Sequence, residues 1–164
     1  MNKKIEGRVL RLGRDITLEW IAPQQCPPLG EAPEAFSQLL EAGGSRQKRD
    51  FRKGDVIVAG GNFGMGQEPQ LAVQALKAAE VPCVVAASFA RAFYRCAINQ
   101  GLPLIESLQA HEKISDGETV SIDFDKWEIN CKRGAISFPS FPEIIGKIIE
   151  SGGLIPYAKK SIGK

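Results

Sequence analysis

The segment from Lys53 to Leu76 constrains the fold more than any other part of the chain. It contains Asp55–Ala59, a short run rich in valine and isoleucine between glycines, which is typical of a buried strand. Four glycines follow among residues 60–66, where the backbone is free to turn tightly and to lie close to another molecule. Pro69 then stands where a first helical residue is expected, with Glu68 as an acidic cap. The segment therefore predicts a strand, a glycine loop and a helix.

A glycine loop that enters a helix presents unpaired backbone N–H groups and the positive end of the helix dipole. Such a place suits a carboxylate or a phosphate. The loop lacks the lysine and the Ser/Thr of a nucleotide phosphate loop, and its glycines do not follow the dinucleotide-binding spacing. These differences disfavour a nucleotide, and tight backbone geometry explains the glycines equally well.

Length and composition predict one soluble domain. The 164 residues are most simply a single domain, 1–164, with a core that needs no disulfides. The net charge of +2 gives no argument for nucleic acid or for an acidic membrane surface. No apolar stretch approaches about 18 residues and the first residues do not resemble a leader, so we expect a cytoplasmic protein without a membrane span.

The side chains that most often bind metals are scattered. Cys26, Cys83, Cys96 and Cys131 form no CxxC pair, and we expect Cys83 and Cys96 to be buried free thiols. The single histidine, His111, lies in a polar stretch and is expected at the surface. We therefore predict no metal site on this chain.

The N-terminal third predicts strands followed by loop. Ile5–Leu12 and Ile16–Pro23 are predicted as strands, and the proline-rich stretch after them as loop. Glu34–Ala42 is predicted as a short helix. Ser45–Lys53 is strongly basic and is either a solvated connection or an anion-attracting rim or flap.

The remainder predicts a βαβ unit and then a small antiparallel sheet. Pro82–Ser88 is a second buried parallel strand, and Ser88 is predicted to cap a helix over Phe89–Gln100. Arg91 and Arg95 on that helix are expected to pair with carboxylates of the fold rather than with substrate. From Gly117 the hydrophobic period falls to two, which predicts strands at 119–124, 127–131 and 135–138, followed by a helix over 141–151 and a tail that packs back.

Three runs, VIVAGGNFGMG, SFARAFYRCAINQGLPLIE and GGLIPYAKK, resemble the small subunit of 3-isopropylmalate dehydratase and the swivelling fourth domain of aconitase and homoaconitase. The resemblance covers nearly the whole chain in the expected order. It implies an α/β fold, a three-layer β/β/α swivelling domain. It also implies a hydro-lyase that moves a hydroxyl between adjacent carbons of a carboxylate substrate by dehydration and rehydration.

The resemblance further implies a partner and the location of the cofactor. In that family the small subunit binds no iron–sulfur cluster, and a separate large subunit carries the cluster on three cysteines. The active site lies between the two chains. We therefore expect no cofactor on this chain, a cluster-binding large subunit as partner and a small-molecule carboxylate as substrate.

The polar residues of the family loop, usually GCGSSREHA, are replaced here. Gln67 stands at the family's basic serine, Glu68 at the second serine and Pro69 at the arginine that holds a substrate carboxylate. A glutamine amide is not a base, and proline has neither a charge nor an N–H donor. Glu19 takes the place of the aspartate in a DTDxIIP-like segment, and Cys96 stands where asparagine is usual.

From these positions we predict Glu19 and Glu68 as catalytic residues. A carboxylate in a dry pocket serves as a general base, although Glu68 is equally explained as a helix cap. The predicted substrate-binding residues belong to the loop: Asn62, Gly64, Gly66 and Gln67. Two functions remain open, a catalytic small subunit of a divergent hydro-lyase and a non-catalytic or regulatory partner that keeps the interface.

Overall fold

The computed structural model describes residues 4–21 and 51–163, and the following elements lie within them. The strands are β1 (Lys4–Arg11), β2 (Val56–Ala59), β3 (Val84–Ala86), β4 (Leu104–Glu106), β5 (Thr119–Asp123), β6 (Glu128–Cys131) and β7 (Gly134–Ser137). The helices are α1 (Leu18–Ile21), α2 (Pro69–Ala78), α3 (Arg91–Asn99), α4 (Leu108–Lys113), α5 (Glu143–Glu150) and α6 (Leu154–Ile162). The predicted loop over 24–33, the predicted helix Glu34–Ala42 and most of the basic segment Ser45–Lys53 lie outside the described residues.

One sheet joins the strands in the order β4-β3-β2-β1-β5-β6-β7. The strands β1 to β4 pair in parallel, and β5 to β7 pair antiparallel. Strand β1 belongs to both halves, because residues 4–8 pair antiparallel with β5 while residues 9–11 pair in parallel with β2. The predicted pairing of the Asp55–Ala59 and Pro82–Ser88 segments as neighbouring parallel strands is confirmed.

The parallel half is buried on both faces. On one face Leu10, Ile57 and Val84 form a core with Leu76 of α2 and Phe93 of α3. Through this cluster the helices pack as one layer against the sheet. Burial on both sides explains why β2 and β3 are uninterrupted apolar runs rather than alternating ones.

The opposite face of the parallel strands packs against the antiparallel half. Val58 and Val85 share a cluster with Ile122 of β5, Ile129 of β6 and Ile136 of β7, because the sheet curls over itself. Helices, parallel strands and antiparallel strands therefore form three layers. This arrangement confirms the predicted three-layer β/β/α fold.

The prediction of a strand over Ile16–Pro23 is wrong. Thr17 makes only a single parallel bridge, to Met65, and the chain then turns into helix α1. Leu18 and Ile21 are buried in the core beside α2. Their spacing of three residues puts both on one side of a helical turn, so tertiary packing overrides the β propensity of the segment.

The predicted helix caps also differ from the structure. Helix α3 is preceded by Ala90 rather than capped by Ser88, whose hydroxyl accepts a hydrogen bond from the Asn62 N–H at 2.9 Å. Glu68 stands at the N-cap of α2, but its side chain makes no cap hydrogen bond. Helix α6 contains the tail that was predicted only to pack back.

Candidate functional site

The glycine loop, residues 60–66, follows β2 at the carboxyl end of the parallel strands. On one side the loop exchanges backbone hydrogen bonds of 2.7–2.9 Å with residues 13–18. On the other side Phe63 donates to the Ser88 carbonyl at 3.0 Å and accepts from the Ala90 N–H at 2.9 Å. Two segments, one that follows β1 and one that follows β3, therefore hold the loop in place.

The carboxylate of Glu19 lies directly on this loop, beside Gly66. A methyl group at Gly66 would lie 2.7 Å from Oε1 and 2.9 Å from Oε2 of Glu19, and Gly66 has a φ of +128°. The pKa of Glu19 is held below its usual range by hydrogen bonds from its own backbone N–H, from the Thr17 hydroxyl and, more weakly, from the Gln67 N–H, while burial opposes the shift. Glu19 is therefore an anion at neutral pH whose position depends on a glycine at residue 66.

Gly64 is required for packing. Its φ is +86°, and a side chain there would run into the ring of Phe93, with contacts of 2.7 Å to Cβ and 2.8 Å to Cδ1. Its N–H donates to the Ile16 carbonyl at 2.8 Å. The fold therefore already uses this N–H, and the assignment of Gly64 as a substrate-binding residue stays a prediction.

Asn62 is held from both sides at the exposed end of the loop. Its backbone is left-handed, with φ of 59°, and its N–H donates to Ser88 Oγ. Its Nδ2 donates to Asp15 Oδ1 at 2.8 Å. Asp15 and Ser88 thus hold the loop, although the sequence pattern predicts Ser88 only as a helix cap and gives no signal for Asp15.

Glu68 presents a carboxylate that the helix does not bind. The residue is exposed, with φ of 61° and ψ of 51°. Left-handed backbone at a residue other than glycine costs about 1–3 kcal/mol and is found where surrounding structure imposes it. Gln67, also exposed, stands between Glu68 and the carboxylate of Glu19.

The two arginines of α3 lie elsewhere. Within the described residues neither Arg91 nor Arg95 forms an ion pair with a carboxylate, contrary to expectation. Arg95 and Cys96 line an open groove of about 650 Å³ between α2, α3 and α6, together with Leu154 and Ile155. Among the described residues, the start of the loop has a cation beside it, because the Arg14 side chain lies against Gly60, whereas the end of the loop has the carboxylates of Glu19 and Glu68.

His111 and the cysteines do not join this site. His111 is half-buried on α4 rather than fully at the surface, and burial followed by the charge of Arg11 lowers its pKa. Cys83 is buried as predicted, whereas Cys96 is half-buried, and burial raises the pKa of the Cys83 thiol strongly. Across 4–21 and 51–163, no three His, Cys, Asp or Glu side chains lie close enough together to hold a metal ion.

No helix in that part of the chain is long and apolar enough to span a membrane.

Comparison with known proteins gives concordant matches. The profile of the Aconitase C-terminal domain family matches residues 43–110. The chain is 38% identical over 164 residues to the 3-isopropylmalate dehydratase small subunit of Ruminiclostridium cellulolyticum, covering 99% of each chain. It is 37% identical over 167 residues to the isopropylmalate/citramalate isomerase small subunit of Methanocaldococcus jannaschii, covering 100% of this chain and 99% of the relative. The crystal structure of 3-isopropylmalate dehydratase LeuD from the same organism superimposes with a TM-score of 0.83 at 35% identity, covering 97% of this chain and 95% of the other.

Proposed function

Because the chain belongs to the family of 3-isopropylmalate dehydratase small subunits, which are hydro-lyase subunits, we propose that it completes the active site of an aconitase-type hydro-lyase. In this proposal a large subunit supplies the rest of the site. The complex dehydrates and rehydrates a hydroxy carboxylate. The single observation that supports this most is the ionised carboxylate of Glu19, fixed on the glycine loop beside Gly66.

Dehydration removes a hydroxyl from one carbon and a proton from its neighbour, so it needs a proton acceptor within hydrogen-bond reach. Glu19 is a weak base, because the hydrogen bonds that lower its pKa stabilise its charged form. Its role in this proposal is to hold the loop and to accept a hydrogen bond from the substrate hydroxyl. Glu68 has an exposed carboxylate that is not engaged in capping α2, and it is the candidate proton acceptor.

The iron–sulfur cluster belongs to the partner in this proposal. The resemblance implies a cluster on the large subunit, where it would act as a Lewis acid on the substrate hydroxyl. The described residues of this chain contain no cluster-binding set of side chains. The chain's own contribution is therefore to orient the substrate and to accept its proton.

The proposal is tested by co-expression with the large subunit of the same organism under anaerobic conditions. The purified complex is screened against 2-hydroxy dicarboxylates and their unsaturated counterparts. We expect turnover only from the two-chain complex, so robust turnover by the small chain alone would refute the proposal.

Two substitutions then divide the roles within an active complex. Loss of a general base lowers the rate by about 10²–10⁴-fold, which is the expectation for Glu68→Gln. We expect a larger loss for Glu19→Gln, because that change removes both the hydroxyl acceptor and a contact that holds the loop. If neither changes the rate, both roles are refuted. A complex that forms but turns over no hydroxy acid indicates instead the non-catalytic partner.

A further inference from the structure

The backbone donors of the glycine loop are largely used by the fold itself. The N–H groups of Gly60, Phe63 and Gly64 donate to backbone carbonyls at 2.8–3.0 Å. The Asn62 N–H donates to Ser88 Oγ at 2.9 Å. The loop was predicted to hold a carboxylate through such groups, so most of the donors for a ligand anion are already taken.

A donor just after the loop, the N–H of Gln67, faces a carboxylate of the protein. The Gln67 N–H, between the loop and helix α2, hydrogen-bonds to the carboxylate of Glu19. The same carboxylate fills the space beside Gly66 where any other residue would place its Cβ. Glu19 thus stands where an anionic ligand would meet the end of the loop, and it is tethered there by Leu18, whose N–H donates to the Met65 carbonyl at 2.7 Å.

Nearby charges oppose a second anion. Asp15 is bound to Asn62, and the carboxylate of Glu68 follows directly after Gln67. Pro69 supplies neither a charge nor an N–H. Glu19 and Glu68 are both exposed at the end of the loop, so a ligand carboxylate placed there would meet like charge, whereas the cation Arg14 lies against Gly60 at the opposite end of the loop.

We propose that Glu19 occupies the anion position of the glycine loop and is the specificity determinant of the site. This inference rests on the proposed function. The substrate is a hydroxy acid whose group facing this chain is uncharged and donates a hydrogen bond, such as a hydroxyl or an amide. The substrate's carboxylate is bound on the partner's side of the site.

The first test needs no activity. Backbone amide shifts of the full-length chain are followed by NMR while malonate is added to millimolar concentrations. We expect no saturable shift at residues 66–68 in the wild type. Glu19→Ala frees the Gln67 N–H and removes the charge, and it is expected to gain a saturable malonate response at these residues.

Three controls make this result decisive. Glu68→Ala removes one carboxylate from the same region but leaves Glu19 in place, and it is expected to stay unresponsive. Glu19→Gln retains a neutral acceptor for the Gln67 N–H and is expected to respond more weakly than Glu19→Ala. The amide spectrum itself reports whether each variant keeps the fold. Saturable binding in the wild type, an equal gain in Glu68→Ala, or no gain in Glu19→Ala would each overturn the proposal.

The second test uses the two-chain complex. Pairs of hydroxy acids that differ only by a carboxylate or a carboxamide at one end are compared by kcat/KM. We expect a preference of about tenfold or more for the carboxamide at the end facing this chain, and we expect Glu19→Gln to reduce that preference. If the acid with a carboxylate is preferred over the carboxamide whichever end is varied, the proposal is overturned. If no hydroxy acid is turned over, the proposed function fails, while the malonate titration still decides the role of Glu19.

Discussion

Replacing Gly64 by alanine isolates the packing that fixes the glycine loop. Gly64 and Gly54 have nearly the same positive φ, +86° and +87°. A Cβ at Gly54 meets nothing within 4 Å, whereas a Cβ at Gly64 runs into the ring of Phe93. Phe93 is fully buried, in an edge contact with Phe63 and stacked on Phe89, with ring centroids 5.4 and 6.4 Å away. The ring therefore has little freedom to move aside.

The magnitude follows from two contributions. A left-handed backbone at an alanine costs about 1–2 kcal/mol, and this cost is shared by Gly54→Ala and Gly64→Ala. The entropy lost by the unfolded chain on gaining a methyl group is also common to both and cancels in the comparison. Overpacking a core costs about 1–3 kcal/mol and applies only to Gly64→Ala. We therefore expect Gly64→Ala to be less stable than Gly54→Ala by about 1–3 kcal/mol, which is about 2–12 °C in Tm for a chain of this size.

The measurement is urea unfolding of the purified chain, followed by circular dichroism and by tryptophan fluorescence. The slope of the free energy of unfolding against urea should be the same for both variants, so that the midpoints report stability alone. Equal midpoints for Gly64→Ala and Gly54→Ala would refute the argument. That result would show that Phe93 yields to the added methyl group and that packing does not explain the glycine.

Three further predictions concern charge and geometry around the loop and the sheet. In Gly66→Ala the new methyl group would clash with the carboxylate of Glu19, and we expect turnover of the two-chain complex to fall by about tenfold or more. Gly134→Ala is the control, because Gly134 also has a positive φ of +108° but a Cβ there meets nothing within 4 Å, and we expect its turnover to be unchanged. The folded pKa of Glu19 lies below its usual value near 4.5, so the ionised carboxylate stabilises the fold above that pH, and this stabilisation is lost as the pH falls through the lowered pKa. In urea titrations, the difference in free energy of unfolding between wild type and Glu19→Gln should therefore be constant near neutrality and disappear in acid. Asp55 is 2% exposed and accepts two hydrogen bonds from Arg8, of 2.6 and 3.1 Å. We therefore expect Asp55→Asn to lower the free energy of unfolding by about 1–3 kcal/mol. An unchanged thermal unfolding temperature would contradict this prediction.

The central βαβ unit was predictable because its signals are local. The valine-rich run ending at Ala59, the proline at residue 69 and the second apolar run ending near Ala86 specify strand and helix through neighbouring residues alone. The segment over Ile16–Pro23 was misassigned for the complementary reason. Its alternation fits a strand, but contacts of Leu18 and Ile21 with remote residues make it turn into a helix.

The glycine loop likewise has features that local sequence predicts and features that depend on remote residues. Four glycines predicted a tight loop near a helix N-terminus, and the loop is there. The expectation that its N–H groups await a ligand anion does not hold for most of them, because residues 13–18 and Ser88 use them. Nothing near the loop in the chain indicates those partners.

The sequence by itself determined the order of the elements, the alternation of the strands and the presence of a flexible glycine turn, since each depends on residues a few positions apart. Only the tertiary structure decided that β1 lies at the centre of the sheet and joins its two halves. It also decided that Gly64 faces Phe93 and that the carboxylate of Glu19 rests beside Gly66. These are contacts between segments far apart in the chain, and their geometry is set by the packing of the three layers rather than by any local pattern.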